Sequence, residues 1–367
     1  MNSIHFRRWV AQLEHSEHEV YWFDINDQGY IESLPWVHQV TAWKKRVLKK
    51  RGRYFIKSKL PYLYKQLSNV FDIPLETAFT EAVNEIQPDV IHSFALFIGC
   101  KPIMNFMEKN KQIPWLYSSW GSDIYFRENK AGETSFISNV CSRLDYAITD
   151  CERDKHILIK EGFKGEHLGV FPGGGGYPKR ISSTKTRKKN SFIVKGYQNE
   201  HGRALPVIKA LLELKKEGKE VSVFVFGVSD DFYKLLEKEN LVTIENVEIR
   251  KNIDHALLLE AMESHEFYIG NSISDGTPNT LIEAIISGCI PIQSNPGNAT
   301  AEIIKDGVSG YLIEHPEDIG HIRQVMKNAI EHNISEEGIA HNDYLKNTTF
   351  DRTVVTQKVL EAYSKIS

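Results

Sequence analysis

Cysteine is scarce. The 367 residues hold four, Cys100, Cys141, Cys151 and Cys289, too few to staple a chain of this length and without metal-ligand spacing. They are expected to be reduced and mostly buried. Long apolar runs are missing as well: the longest, such as residues 221–228, have the length of a strand and fall far short of the roughly 20 residues of a membrane helix. Behind the opening Met-Asn-Ser-Ile-His-Phe-Arg-Arg lies neither a secretory apolar core nor a transit-peptide pattern, so a cytoplasmic location is expected. Net charge is nearly absent. Against 48 Asp and Glu stand 45 Lys and Arg, a formal −3, which leaves no bulk field to collect nucleic acid. No His, Cys and Asp set has metal spacing, so neither a structural nor a catalytic metal is expected.

What is present is a globular composition, 41% apolar and 25% charged, with enough apolar surface to offset ordering entropy; the length corresponds to about two domains. Short apolar runs alternate with amphipathic stretches, the pattern of parallel sheets whose crossovers are helices. The fold class is α/β. Residues 18–25, 89–94, 113–119, 145–149 and 167–171 read as strands of a first sheet, with helices such as 134–144 and 152–161 between them. Residues 191–195, 221–226, 247–250, 267–269, 290–293 and 310–313 supply a second.

Between the two sheets, Gly173-Gly174-Gly175-Gly176 and the polar, basic stretch behind it read as a hinge, because no GKS or GKT follows the glycines. This divides the chain into a first Rossmann-like domain (1–176), a linker (177–190), a second Rossmann-like domain (191–346) and a terminal helix (347–367). Val354, Val355, Val359 and Leu360 give that helix an apolar face for packing back on the first domain. The start is unusual: residues 3–15 read as loop and helix, whereas a doubly wound domain opens with a strand that becomes central. The first domain is therefore expected to lack a strand, with two edges unpaired and a slot in its core.

The most informative stretch runs from Gly270 through Asp275-Gly276-Thr277-Pro278-Asn279 to Glu283-Ala284. A strand ends, a loop of small residues turns, and a helix starts whose free N–H groups and dipole suit an anion such as a diphosphate. Asp275 at the mouth and Glu283 deeper can accept hydrogen bonds from hydroxyls at two ends of one sugar-bearing ligand. With Ser287-Gly288-Cys289-Ile290-Pro291-Ile292 and the run from Glu302 to Ile313, the stretch resembles the signature of retaining glycosyltransferases of family 4. The resemblance implies the GT-B fold, two doubly wound parallel-sheet domains facing a cleft. It also implies that Glu283 binds the nucleotide ribose and Asp275, where Glu is commoner, the donor sugar, while Gly276, Thr277, Pro278 and Asn279 line sugar and diphosphate.

Other positions match that family less closely. Its basic pair after the first strand of the second domain would fall on Tyr197 and Gly202; this chain offers Lys195 and Arg203 instead, and Arg203 is the expected main diphosphate ligand, with Lys195 as helper. Trp120-Gly121-Ser122-Asp123 resembles the segment near the donor sugar, with Trp120 in the place of a His; Gly121 and Asp123 fit. Trp120 can stack on a sugar or serve the core. His92 reads as structural rather than catalytic. The resemblance implies transfer from a nucleotide-diphosphate sugar to a hydroxyl on a glycan or lipid-linked acceptor, without a metal and without a dedicated protein base. A nucleotide-sugar epimerase and a non-catalytic scaffold of a glycan-assembly complex are the alternatives.

Finally, residues 33–71 contain no acid, while Lys44, Lys45, Arg46, Lys49, Lys50, Arg51, Arg53, Lys57, Lys59 and Lys65 bring +10, leaving −13 on the remainder. Trp36, Trp43, Tyr54, Phe55, Tyr62 and Tyr64 are interleaved with them. That mixture suits an anionic membrane face, and the protein is expected as a peripheral membrane protein through residues 44–65.

Overall fold

A computed structural model describes residues 3–44, 53–127, 132–179 and 186–366. The chain opens with α1 (Ile4–Val10), whose first turn is closed by the Ser3 hydroxyl accepting from the Phe6 N–H, and which turns Phe6, Trp9 and Val10 inward. β1 (Tyr21–Phe23) and β2 (His38–Val40) follow as a parallel pair. Then come α2 (Arg53–Lys59), α3 (Pro61–Phe71), α4 (Leu75–Ile86), β3 (Ile91–Phe94), α5 (Met104–Lys109), β4 (Trp115–Ser118), α6 (Thr134–Arg143), β5 (Tyr146–Thr149), α7 (Glu152–Lys160) and β6 (Glu166–Val170). Strands β3 to β6 lie side by side in chain order, all parallel.

The second half contributes β7 (Lys188–Lys195), α8 (Ala204–Lys216), β8 (Ser222–Phe226), α9 (Asp230–Lys238), β9 (Val247–Arg250), α10 (His255–Ser264), β10 (His265–Gly270), α11 (Asn279–Ile286), β11 (Ile290–Ser294), β12 (Tyr311–Ile313), α12 (Ile319–Glu331), α13 (Glu336–Asn347) and α14 (Arg352–Tyr363). Its strands are ordered β12-β11-β10-β7-β8-β9. Alternate residues of β10 face opposite layers: Phe267 and Ile269 pack under α8 and α12, while Tyr268 packs toward α11 with Ile282 and Phe350. Chain order reverses between β7 and β10, the switch point at which a doubly wound sheet opens a crevice beyond its carboxyl ends. The loops after β7 and β10 both end there.

Eleven of the twelve strands coincide with runs read in the sequence. β2 was not among them, being three residues, His38-Gln39-Val40, with no buried position. The four cysteines are buried and free. The terminal helix packs on the first sheet, Val355, Val359 and Ala362 meeting Trp9, Leu116, Ile148 and Phe171; Val354 and Leu360, expected on that face, are only half-buried. The glycine run expected as a hinge is held in close packing. It is buried throughout, and side chains there would collide: a Cβ on Gly175 (φ +69°) with Gln12, one on Gly176 (φ +77°) with Arg352. Glycine is required by close approach as well as by backbone geometry. Residues 180–185 of the expected linker lie outside the described residues.

His92 joins β3, β4 and α14, its Nδ1 2.7 Å from the Tyr363 hydroxyl and its Nε2 2.8 Å from the Ser118 Oγ. Burial holds its pKa down, at about 3 against 6.5 for a free imidazole. The unfolded chain therefore takes up this proton first, and His92 removes stability as pH falls from 6.5 toward 3. His92→Gln is expected to be less stable than wild type by about 1 kcal/mol at pH 8, with the difference shrinking or reversing at pH 4. Urea unfolding of both proteins at the two pH values checks this.

Candidate active site at the strand ends

The loop between β10 and α11 is docked against the first domain. The Thr277 Oγ1 donates to the Asp150 carbonyl at 2.6 Å, the Ser122 Oγ to the Ser274 carbonyl at 2.9 Å, and Arg153 Nη1 to the carbonyls of Asp275 and Pro296, both at 2.8 Å. Glu302 reaches across from the second domain to accept from the backbone N–H groups of Glu152 (2.7 Å) and Arg153 (2.9 Å) at the start of α7, an anion on a helix N-terminus. Gly276 lies so close to Asp150 that a Cβ would run into its carboxylate. Gly121, at φ +60°, donates its N–H to Asp150 Oδ2 at 2.8 Å, and a Cβ there would stand 3.2 Å from Asp275 Oδ1. The two glycines of the sequence reading thus bring three chain segments together.

Around this junction the expected residues divide. Glu283, buried on α11, holds Arg8 at 3.4 Å and His255 at 2.8 Å through its Oε1. Asp275 is half-buried at the mouth, accepting from its neighbour Gly276 N–H at 3.0 Å. Lys195, at the end of β7, lies over the Tyr197 ring at 4.7 Å. His5 feels Arg8, Glu283, Lys195 and Asp275 together, and burial followed by the Arg8 charge lowers its pKa, so it stays neutral. Four nitrogen groups, Arg8, His255, Lys195 and His5, and two carboxylates thus share one crevice at the switch point.

Pro278 is the residue before α11, and Asn279 opens the helix while its Oδ1 accepts from the Tyr177 hydroxyl at 2.5 Å. Arg203 is not in the cluster. Its Nε is 2.7 Å from Glu317 and its Nη1 donates to the carbonyls of Asn199 and Gly202, so the guanidinium fork expected to face the diphosphate is occupied within its own domain. Asp123 is likewise engaged internally: it accepts from the Leu96 N–H and the Tyr117 hydroxyl, and burial pushes its carboxyl up to about 7. Trp120 packs on Phe94, ring centroids 4.8 Å apart.

His5 and His255 escaped the sequence reading as site candidates, and so did Arg8 and Asp150. Arg8 comes from α1, 275 positions before its partner Glu283; its signal was a basic pair on a short helix without a nearby acid. Asp150 directly follows β5, the position where α/β sheets place ligand groups. It is buried, its Oδ1 has no hydrogen-bond partner among the described residues, and burial, with the neighbouring Asp154, drives its pKa well above the usual carboxylate range.

Residues 178–345 match the family model described as Glycosyl transferases group 1, so the second half of the chain carries a domain of that group. The chain is 25% identical over 184 residues to the UDP-N-acetylglucosamine--peptide N-acetylglucosaminyltransferase GtfA subunit of Limosilactobacillus reuteri subsp. suis, a match covering 49% of this chain and 35% of that one. For the protein of the same name from Streptococcus pneumoniae serotype 4 the figures are 26% over 191 residues, 51% and 37%. The matched segment spans little more than a third of these curated relatives. Among solved structures, the sucrose-phosphate synthase of Thermosynechococcus elongatus superposes with a TM-score of 0.71 at 14% identity, over 99% of this chain and 92% of that one. The pneumococcal O-GlcNAc transferase GtfA, solved with UDP and GlcNAc, gives 0.64 at 16%, over 79% and 60%. Anabaena HepE, solved with UDP, gives 0.63 at 17%, over 82% and 84%. The fold is that of the GT-B glycosyltransferases.

Gly276→Ala is expected to destabilise the protein by about 1–3 kcal/mol, the usual range for overpacking a close contact. Asp150→Ala in the same chain should restore at least half of the loss. A denaturant double-mutant cycle checks the coupling.

Proposed function

We propose that the protein is a glycosyltransferase that moves a sugar from a nucleotide-diphosphate sugar to a hydroxyl acceptor with retention, in the making of a surface polysaccharide or lipid-linked glycan. The observation that carries this reading is the meeting of Glu283, Asp275, Lys195 and Arg8 at the switch-point crevice, within a domain of the glycosyl transferases group 1. UDP is the nucleotide the reading favours, because UDP is bound in the pneumococcal GtfA and HepE structures.

In this reading Glu283 accepts the two ribose hydroxyls, and Arg8 and His255, which hold it now, move aside. Asp275 orients the donor sugar. As the sugar leaves, negative charge grows on the diphosphate, and Lys195, Arg8 and the N–H groups at the start of α11 stabilise it. Those fixed positive groups let the reaction run without a divalent ion. Arg203 joins only if it releases Glu317, which moves the main diphosphate role from Arg203 to Lys195. The donor's own phosphate takes the acceptor proton, so no protein base is assigned.

The acceptor side extends to a membrane surface. Phe55, Leu60, Tyr62 and Leu63 on and between α2 and α3 are exposed large apolar residues, and Lys57, Lys59 and Lys65 stand among them; such a face can lie in an anionic interface. Residues 45–52 lie outside the described residues, Lys45, Arg46, Lys49, Lys50 and Arg51 included, as does the side chain of Arg53. No helix among the described residues is long and apolar enough to cross a membrane.

Glu283→Gln and Lys195→Ala are each expected to reduce UDP-sugar turnover by about 100-fold or more while leaving the melting temperature near that of wild type, and Arg203→Ala to reduce it far less. Turnover should survive EDTA. Calorimetric titration with UDP and a panel of UDP-sugars tests the reading itself: no binding of any would favour the scaffold, and epimer formation without acceptor the epimerase. Replacing Leu60, Tyr62 and Leu63 by Ser should weaken sedimentation with phosphatidylglycerol vesicles, and wild-type binding should fall with added salt.

A further inference from the structure

Between β1 and β3 the first domain contains a cavity of about 840 Å³. Both strands line it, and among the described residues each has a single strand neighbour, β2 for β1 and β4 for β3. On β3, the Ile91 and Ala95 N–H groups donate toward β4, to Pro114 and Ser118. On β1, the Val20 carbonyl and Asp24 N–H serve β2. Because a parallel strand directs alternate residues to alternate sides, the backbones of His92 and Phe94 and of Tyr21 and Phe23 point into the space. Its other walls are helical. Phe6 and Val10 of α1 cover one face and Phe79 and Val83 of α4 the other, and the Phe6 ring touches both borders, 5.5 Å from Trp22 and 5.5 Å from Phe94.

We infer that this slot seats one more parallel β-strand, supplied by polypeptide on the amino-terminal side of Ser3 and joined by a short loop to α1. The direction follows from the ends of the slot. The start of α1 lies at the crevice, where His5 and Arg8 stand by Glu283, as do the carboxyl ends of the strands. The opposite mouth has a polar rim, Glu17, Glu19, Gln87 and Asp89, where a chain can enter from water. A segment entering there and running parallel to β3 finishes beside the first residue of α1, and strand, α1 and β1 make an ordinary βαβ unit. Flanked by strands on both edges and helices on both faces, it is an apolar run of about five residues. This inference is independent of the proposed activity.

The test adds to the full chain, ahead of Met1, about five Val and Ile residues and a loop of about four Gly and Ser; a control carries Pro at the middle strand position, which cannot donate to the ladder. The Val/Ile extension is expected to raise Tm by about 5 °C or more and to slow amide exchange at Tyr21, Phe23, His92 and Phe94 by at least about tenfold, with neither change in the control. Equal behaviour of the two extensions, or no change with either, overturns the inference. So does full protection of those amides in the unextended chain, as a monomer or as a dimer in which a second copy fills the slot. Equal protection by the free Val/Ile peptide added in trans overturns the covalent assignment to the amino-terminal side.

Discussion

The absence of a side chain at Gly276 is what the site rests on. Asp150 can approach that backbone only because nothing projects from it, and the approach sets the Thr277 hydroxyl on the Asp150 carbonyl and the Asp150 carboxylate on the Gly121 amide. One contact thus aligns the end of β5, the loop after β4 and the loop before α11, three pieces of two different sheets. Arg153 and Glu302 reinforce the same junction at the start of α7. The crevice that holds Glu283 and Lys195 inherits its width from this docking, because α11 starts only three residues after Gly276.

Much of this architecture is written locally and could be read. Strands such as Phe192 to Val194 and Phe267 to Ile269 are short apolar runs between amphipathic helices, and a buried parallel strand needs no more signal than that. The loop from Asp275 to Asn279 and Glu283 after it are contiguous, so spacing alone places two carboxylates on one ligand-sized stretch. Arg203 shows where this logic fails. A basic residue at a helix start after β7 has the right local setting, but its partner Glu317 arrives 114 positions later, and no window on the sequence contains both. Arg8, whose partner Glu283 lies 275 positions away, was missed for the same reason.

Burial was the second thing hidden. The glycine run has the composition of a linker, yet its backbone is buried, its glycines lying against Trp120, Asn279, Gln12 and Arg352. Composition reports what a segment cannot do by itself; it does not report what packs around it. His92 and Asp123 illustrate the converse. Each has the chemistry of a ligand group, and each has its hydrogen bonds met by the protein, His92 by Tyr363 and Ser118 and Asp123 by Leu96 and Tyr117.

The chain crosses between the two halves twice, once through Tyr177 and once through Asp351, and these two crossings are bonded to each other: the Tyr177 N–H donates to the Phe350 carbonyl and the Arg352 N–H to the Tyr177 carbonyl, both at 2.8 Å. Two strands tied side by side act mechanically as the pin of a door. A single covalent tether would let the halves swivel in any direction, whereas a doubled one resists twist and shear and leaves rotation about one line as the soft coordinate.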